Sequence, residues 1–474
     1  MPLSWAFIFF GICIRIWQYI NCRSLWIDEA MLARNIIGRN FYELLNPLDF
    51  NQGAPVLFLW LTKYVTTFFG TGELALRLFP LIISVIGIIF FYFIAKRFLE
   101  APFIAIALFI FSFSPRLIYY AQEFKQYASD VTITLIILYL FLGYLEKNNN
   151  VKLVFLIFLG SISTFLSYPS IFIISSVSFT FIFLKYKKQI NISFIKIIII
   201  ITIWFLSFCI NYFVFLRQLS ENSYLTSFWN KGFLPIPTSI DDIETWINTL
   251  QDFLKFCGFT IKLQIVPLLM SGIAVVYGFR KKSASILILA MVFFFALCAA
   301  ILYKYPFERR LALYIIPLFI LLYVKGAEVF LKKRNFFISF AICLLLSLPT
   351  FKSISKITKN IEIEEIKPIL EHLDSKIKQK DQIYVYYGAE HALMYYRENE
   401  IKKNESWHIG NSSRNNREKY IREIDSMKKF ERVWFLFSHI FKDEEKFFLS
   451  HINGKILEQR LDRGAHLYLF EFEK

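Results

Sequence analysis

Eleven apolar blocks, each roughly 15–22 residues long, recur along the chain at about 3–20, 73–95, 101–118, 128–145, 152–167, 170–184, 193–214, 262–279, 284–302, 310–324 and 335–350. A helix needs roughly 20 such residues to cross the hydrocarbon core of a bilayer. A membrane barrel would instead show short segments of alternating polarity. The pattern predicts an α-helical polytopic membrane protein with about eleven transmembrane helices. Composition agrees, with 56 % hydrophobic and 19 % aromatic residues, 55 of them Phe. The first block has no small-residue cleavage site and runs straight into "NCRSLWIDE", so it reads as a retained first span.

The formal charge of +16 raises the question of nucleic acid, and its distribution answers it. From Lys352 onward, 23 basic residues face 21 acidic ones, so almost all of the excess lies among the spans. There it falls in short clusters: Lys96–Arg97, Lys147 with Lys152, Lys185–Lys188, Arg280–Lys282, and Lys325 with Lys332–Arg334. With the N-terminus in the cytoplasm, all of these occupy cytoplasmic turns, as the positive-inside rule requires. The excess marks topology, not a nucleic-acid face. The six cysteines are scattered without ligand spacing and read as small buried apolar residues.

On the opposite side this register leaves long loops at 21–72 and 215–261, a short turn near 113–127, and everything after residue 351. Two amphipathic stretches, around 29–45 and 54–69, read as helices lying in the interface. The organisation expected is a transmembrane domain over 1–351 and an extracytoplasmic, soluble α/β domain over 352–474. In the latter, "DQIYVYYG", "RVWFLFSH" and "HLYLFEF" read as strands, and "HALMYYREN" and 414–431 as helices. All six histidines lie in this tail without metal-ligand spacing and read as ordinary surface or core residues. "SFWNKGFLPIP", with Trp229, suits either a mobile lid or a structural loop.

Ionisable residues at membrane depth are rare and usually functional. Here they gather on one side. Asp28 and Glu29 lie in the first outer loop, with Trp26 beside them. The second outer turn carries Glu123, Lys125 and Tyr127, and "YKYPFERRLALYIIP" carries Lys304, Arg309 and Arg310. Carboxylates facing cations at a lipid boundary suit a reaction in which the acid deprotonates an acceptor while the cations bind a phosphate on a lipid. A structural alternative for Asp28–Glu29 is charge in the first turn of a helix.

These stretches resemble a known family. "LWIDEAMLARN" after a first span is similar to the Asp-Glu motif of GT-C glycosyltransferases, in the bacterial group related to protein O-mannosyltransferases and to the aminoarabinose transferases of lipid A (glycosyltransferase family 39-like). "NQGAPVLFLWLTKY" with "ALRLFP" resembles that family's next block, "YYAQEFKQYA" its Gln-Glu turn, and "ERRLALYIIPLFILLYVKG" its Arg-containing span. The resemblance covers roughly residues 1–350. It implies the GT-C fold and an enzyme of the bacterial inner membrane. That enzyme would move a hexosyl or pentosyl group, with inversion, from a polyprenyl-phosphate donor to a glycan, lipid or protein acceptor on the outer face, in glycosylation of the cell envelope. Asp28 is then the general base, and Glu29 orients it, holds the acceptor or raises its pKa. Glu123 contacts the sugar, or holds a divalent ion (Mg, Mn or Zn) if one is used. Arg309, Arg310, Lys304 and Lys125 bind the lipid phosphate, and Tyr127, Arg77 and Trp26 line the cavity. No cofactor is otherwise implied. The turn at 52–56 lacks the family's His, so no role carries over for it; Lys125 replaces an Arg and loses the bidentate fork. No Tyr follows Arg310 directly, which leaves the choice between Arg309 and Arg310 open. The alternative is a non-catalytic flippase or transporter of lipid-linked sugar.

Overall fold

The computed structural model describes residues 2–147, 149–332, 347–348, 350–351, 354, 359, 361–401 and 406–472. Helices occupy the first ten apolar blocks: α1 (Pro2–Ile20), α4 (Glu73–Phe98), α5 (Ala101–Ser112) with α6 (Pro115–Ala121), α7 (Tyr127–Lys147), α8 (Asn150–Leu166), α9 (Ser170–Tyr186), α10 (Phe194–Asn211), α12 (Ile265–Arg280), α13 (Ala284–Ile301) and, after a tight turn at Arg309–Ile315, α14 (Ile316–Leu331). Most of the eleventh block lies outside the described residues. Among the described residues, seven helical segments are long and apolar enough to cross a bilayer, and the α5–α6 pair, bent by 53°, makes an eighth. The bend has a local cause. Pro115 opens α6 and has no backbone N–H with which to continue α5. The pair α8 and α9 is shorter than a bilayer needs, 17 residues each, because Pro169 and its neighbours turn the chain between them.

One end of the bundle carries basic turns. Arg97 Nε pairs with Glu146 at 3.1 Å, and Lys332 Nζ reaches Glu100 at 3.3 Å. The other end carries α2 (Ile27–Gly38) and α3 (Val56–Phe69), between α1 and α4 in the chain, and the amphipathic helix α11 (Ile240–Phe256). The expected placement of α2 in the interface gives way to burial against the C-terminal unit. Ser239 caps α11 in a reciprocal capping box with Asp242. Ile240, Ile243 and Ile247 are exposed on it, as befits a helix lying against lipid. Much of the 215–261 stretch is therefore helical, not loop. The cysteines are not buried: Cys13 is exposed and Cys22, Cys209, Cys257 and Cys298 are half-buried, which overturns the packing role expected for them; Cys343 lies outside the described residues.

The C-terminal unit is a five-stranded sheet, ordered β2-β1-β3-β5-β4, with helices α15 (Ile366–Lys376), α16 (Glu390–Ile401), α17 (Glu418–Met427) and α18 (Glu444–His451). The strands are β1 (Gln382–Val385), β2 (Trp407–Ile409), β3 (Arg432–Ser438), β4 (Lys455–Asp462) and β5 (Ala465–Glu471). Strands β2, β1 and β3 are parallel, while β5 and β4 continue the sheet antiparallel. Three of the five match the strands read from sequence. Strand β4 is mostly exposed and β2 is only half-buried over three residues, so neither carries the apolar signal of a buried strand. The unit does not stand apart. Leu32, Ala33 and Ile36 of α2, Phe58 of α3 and Phe124 share one hydrophobic core with Leu370, Leu393 and Trp434.

Candidate active site at one end of the bundle

Asp28 and Glu29 sit in the first turn of α2, where carboxylates favour the positive helix end. Successive side chains on a helix point about 100° apart, so the two acids diverge. Glu29 turns inward and is 0 % exposed. Arg77 grips it through two bonds, Nε to Oε1 at 2.9 Å and Nη2 to Oε2 at 2.7 Å. Arg23 Nη1 lies 3.0 Å from Glu29 Oε2, and the Phe124 amide donates to Oε1 at 2.7 Å. Burial alone would raise this carboxyl; Arg23 and Arg77 outweigh it and hold Glu29 below the ordinary range. Arg77 also donates to the carbonyls of Arg23 and Ser24, at 2.6 and 3.1 Å. The expected roles for Glu29 at the acceptor and for Arg77 in the cavity wall therefore need correcting. The two lock α2, α4 and the 122–126 turn together.

Asp28 faces the other way. Its Oδ2 lies 2.8 Å from Arg310 Nη2. Burial would raise its carboxyl, but Lys125 and Arg310 outweigh that and hold it below the carboxylate range. The expected rise of the Asp28 pKa is thus not what the site produces: the net shift is downward, set by these cations. The Arg310 guanidinium stands among three rings, Trp229 at 5.2 Å, Trp26 at 5.5 Å and Tyr127 at 5.7 Å. Its Nε and the Trp26 indole Nε1 are buried without a hydrogen-bond partner. Lys125 Nζ is held at 2.5 Å by Gln52 Oε1. Gln52 belongs to the turn whose missing His marks a departure from the family pattern, and it proves to be the residue that orients the second cation.

Glu123 closes this group. It is fully buried, and neither carboxylate oxygen has a hydrogen-bond partner. Burial first, then the charge of Glu29, pushes it up to about 7, against the pull of Arg310, Arg23 and Lys125. The carboxyl whose pKa Glu29 raises is therefore Glu123. Among the described residues no group of three or more His, Cys, Asp or Glu could hold a metal ion.

Two of the four expected phosphate ligands fall outside. Arg309 adopts a left-handed backbone (φ +40°), and its side chain is 75 % exposed beside Glu308. The turn that sends Arg310 inward sends Arg309 out. Lys304 is exposed and forms no ion pair among the described residues. The structure thus brings together Asp28, Glu123, Lys125, Arg310, Tyr127 and Trp26, and separates Glu29, Arg77, Arg309 and Lys304 from that group. Trp229 joins it from the 215–261 segment.

Comparison with known proteins bears on the fold. Residues 53–211 match the model of the dolichyl-phosphate-mannose-protein mannosyltransferase family. The whole chain is similar in fold to ArnT from Cupriavidus metallidurans. It matches the apo form at 12 % identity and TM-score 0.51, covering 98 % of each chain. It matches the form bound to undecaprenyl phosphate at 12 % identity and TM-score 0.53, covering 98 % of this chain and 97 % of that one. No curated protein matches by sequence. The resemblance to GT-C glycosyltransferases is borne out: the chain has the fold of an integral membrane glycosyltransferase of that type.

Proposed function

We propose that the chain transfers a sugar from a polyprenyl-phosphate donor to an acceptor hydroxyl at the extracytoplasmic face of a bacterial inner membrane, with inversion and with Asp28 as general base. The observation that carries this is the 2.8 Å contact between Asp28 and Arg310, with Lys125 beside it. A base and an anion clamp stand within one side chain's reach, as displacement of a phosphate by a deprotonated hydroxyl requires.

The reading gives each group a task. The acceptor oxygen attacks the anomeric carbon opposite the phosphate, and Asp28 takes its proton. The bond from that carbon to the phosphate oxygen breaks, and the electron pair leaves on the lipid phosphate. Arg310 and Lys125 stabilise the charge that develops there. Before a donor arrives, Arg310 pairs with Asp28 and holds it ionised but weakly basic. A bound phosphate draws the guanidinium to itself, which loosens that pair and makes Asp28 a stronger base when it is needed. Glu123, raised to about 7, can meet the phosphate or sugar as a neutral hydrogen-bond donor.

A place for the lipid supports the same reading. An apolar cavity of 450 Å³ lies among α11, α12, α13 and α14. It is lined by Trp246, Leu250, Phe253 and Phe293 among others, and by Phe307, three residues before Arg310. An isoprenoid chain needs such a surface, and the solved ArnT complex with undecaprenyl phosphate shows that a protein of this fold binds one.

The test is Asp28→Asn in nanodiscs, supplied with labelled undecaprenyl-phosphate sugars (hexose and pentose) and an extract of the native envelope as acceptor. Transfer should fall roughly 10²–10⁴-fold, as for loss of a general base, while binding of undecaprenyl phosphate persists. Full transfer by the variant would overturn the assignment. A flippase would keep its activity in Asp28→Asn.

A further inference from the structure

The helix that carries Asp28 begins without a cap of its own. Trp26 occupies the N-cap position, and its side chain caps nothing. A helix start leaves backbone N–H groups that need acceptors, usually from a Ser, Thr, Asp or Asn at that position. Here the first helical amide, and those of the two residues just before the N-cap, find acceptors more than 300 residues away. The Ile27 amide donates to Glu364 Oε2 at 3.0 Å. The Leu25 amide donates to the Tyr396 hydroxyl at 3.0 Å, and that hydroxyl lies 3.0 Å from Glu73. The amide and hydroxyl of Ser24 both reach Glu365 Oε2, at 3.1 and 2.9 Å. Ser24 in turn accepts from the Lys367 amide at 3.1 Å.

Glu364 is itself held. Its Oε1 lies 2.7 Å from His439 Nδ1. His439 follows the last residue of β3 and adopts a left-handed backbone, φ +51°. A non-glycine residue keeps such a conformation only where its surroundings over-determine it, and these cluster at functional sites. The turn after β1 packs tightly against this point, because a side chain at Gly388 would meet the carbonyls of Ser438 and His439, at 2.7 and 2.8 Å. The chain of contacts therefore runs from the end of β3, through His439 and Glu364, to the amide next to Asp28.

We propose that Glu364 and His439 are positioning residues for the reaction. The C-terminal unit, through them, fixes the end of α2 so that Asp28 meets both the acceptor and Arg310. This rests on the reading of Asp28 as the base. It gives the C-terminal unit a part in turnover that packing alone would not.

The test uses the full chain in nanodiscs and three readouts: hydrogen exchange of the peptide spanning residues 24–33, the transfer assay, and binding of undecaprenyl phosphate. Glu364→Ala and His439→Ala should lose exchange protection at the start of α2. Transfer should fall roughly tenfold in kcat, the scale of a lost charge-assisted hydrogen bond. The KM for the lipid donor and the affinity for undecaprenyl phosphate should each stay within about twofold, because Arg310 and Lys125 are untouched. His439→Asn should recover most of the rate, since Asn places a donor near the Nδ1 position and tolerates positive φ. His372→Asn, in the same unit but paired with Glu458 on strand β4, should change nothing. Unchanged protection or unchanged transfer in His439→Ala, with Asp28→Asn inactive, overturns the positioning role alone. Parallel loss of transfer and undecaprenyl phosphate binding overturns it too, since that is what general loosening of the fold produces. An active Asp28→Asn overturns the assignment of the base, and the positioning role with it.

Discussion

Glu123→Gln isolates the least expected feature of the site, a carboxyl buried with no hydrogen-bond donor to either oxygen. Its pKa of about 7 stands above the ordinary 4.5, chiefly because of burial and then because of Glu29, with Arg310, Arg23 and Lys125 opposing. Between those two pH values the folded chain binds more protons at this position than the unfolded chain does. Stability contributed by Glu123 therefore falls as pH rises from 4.5 to about 7 and stays low above that. At roughly 1.4 kcal/mol per pH unit the full cost at pH 8 is about 3 kcal/mol, against under about 1 kcal/mol at pH 5. Gln keeps the shape and removes the titration. In detergent-solubilised protein, the melting temperature of Glu123→Gln should match the parent closely at pH 5 and exceed it by roughly 5 °C at pH 8. Binding of undecaprenyl phosphate should also weaken with rising pH in the parent and lose that limb in the variant, because an ionised Glu123 repels the phosphate. A melting difference that stays flat from pH 5 to pH 8 would refute the reasoning, since it would mean that Glu123 is stably ionised and paired.

Arg310→Ala should weaken undecaprenyl phosphate binding roughly 10–100-fold, while Arg309→Ala changes it less than about twofold, measured by titration in nanodiscs; equal effects would show that both face the lipid phosphate. Glu29→Ala leaves Arg77 and Arg23 as buried charges without their shared partner and should cost about 3–5 kcal/mol, read as lost expression and a lowered melting temperature. Glu29→Leu with Arg77→Leu should recover much of that, because the pair then leaves together. Gly326→Ala should destabilise the packing of α12 on α14 by roughly 1–3 kcal/mol or more in a thermal unfolding assay, since a Cβ there would overlap the Met270 carbonyl.

What the chain reveals by itself follows from the range of each interaction. Bilayer-length apolar blocks and the basic turns between them are local signals, and helices occupy the ten blocks that fall among the described residues. Where a helix among the described residues falls short of a straight full span, the reason is equally local: Pro115 bends one block and Pro169 leaves two short helices. The adjacency of Asp28 and Glu29 shows a limit of a different kind. Helical geometry separates the two directions, but nothing nearby says which acid turns inward. That is decided by Arg77, 48 residues on, and by the Phe124 amide, 95 residues on. Likewise the choice between Arg309 and Arg310 hangs on one left-handed residue, which the run "FERRL" does not announce.

The histidines carry the argument furthest. Spacing alone makes all six unremarkable, because a metal site would need clustered ligands. Yet His391 lies 2.9 Å from Arg34 of α2, and His439 reaches the start of the same helix through Glu364. Both contacts cross the boundary that composition draws near residue 352. That boundary is real in charge and hydropathy. It is not a boundary in packing, because α2 and α3 share their core with β1, β3 and α16. A module that only docked would leave the entry into α2 to its own neighbours in the chain. Here the donors at Ser24, Leu25 and Ile27 all depend on the C-terminal unit. The geometry of Asp28 is consequently a property of the whole chain.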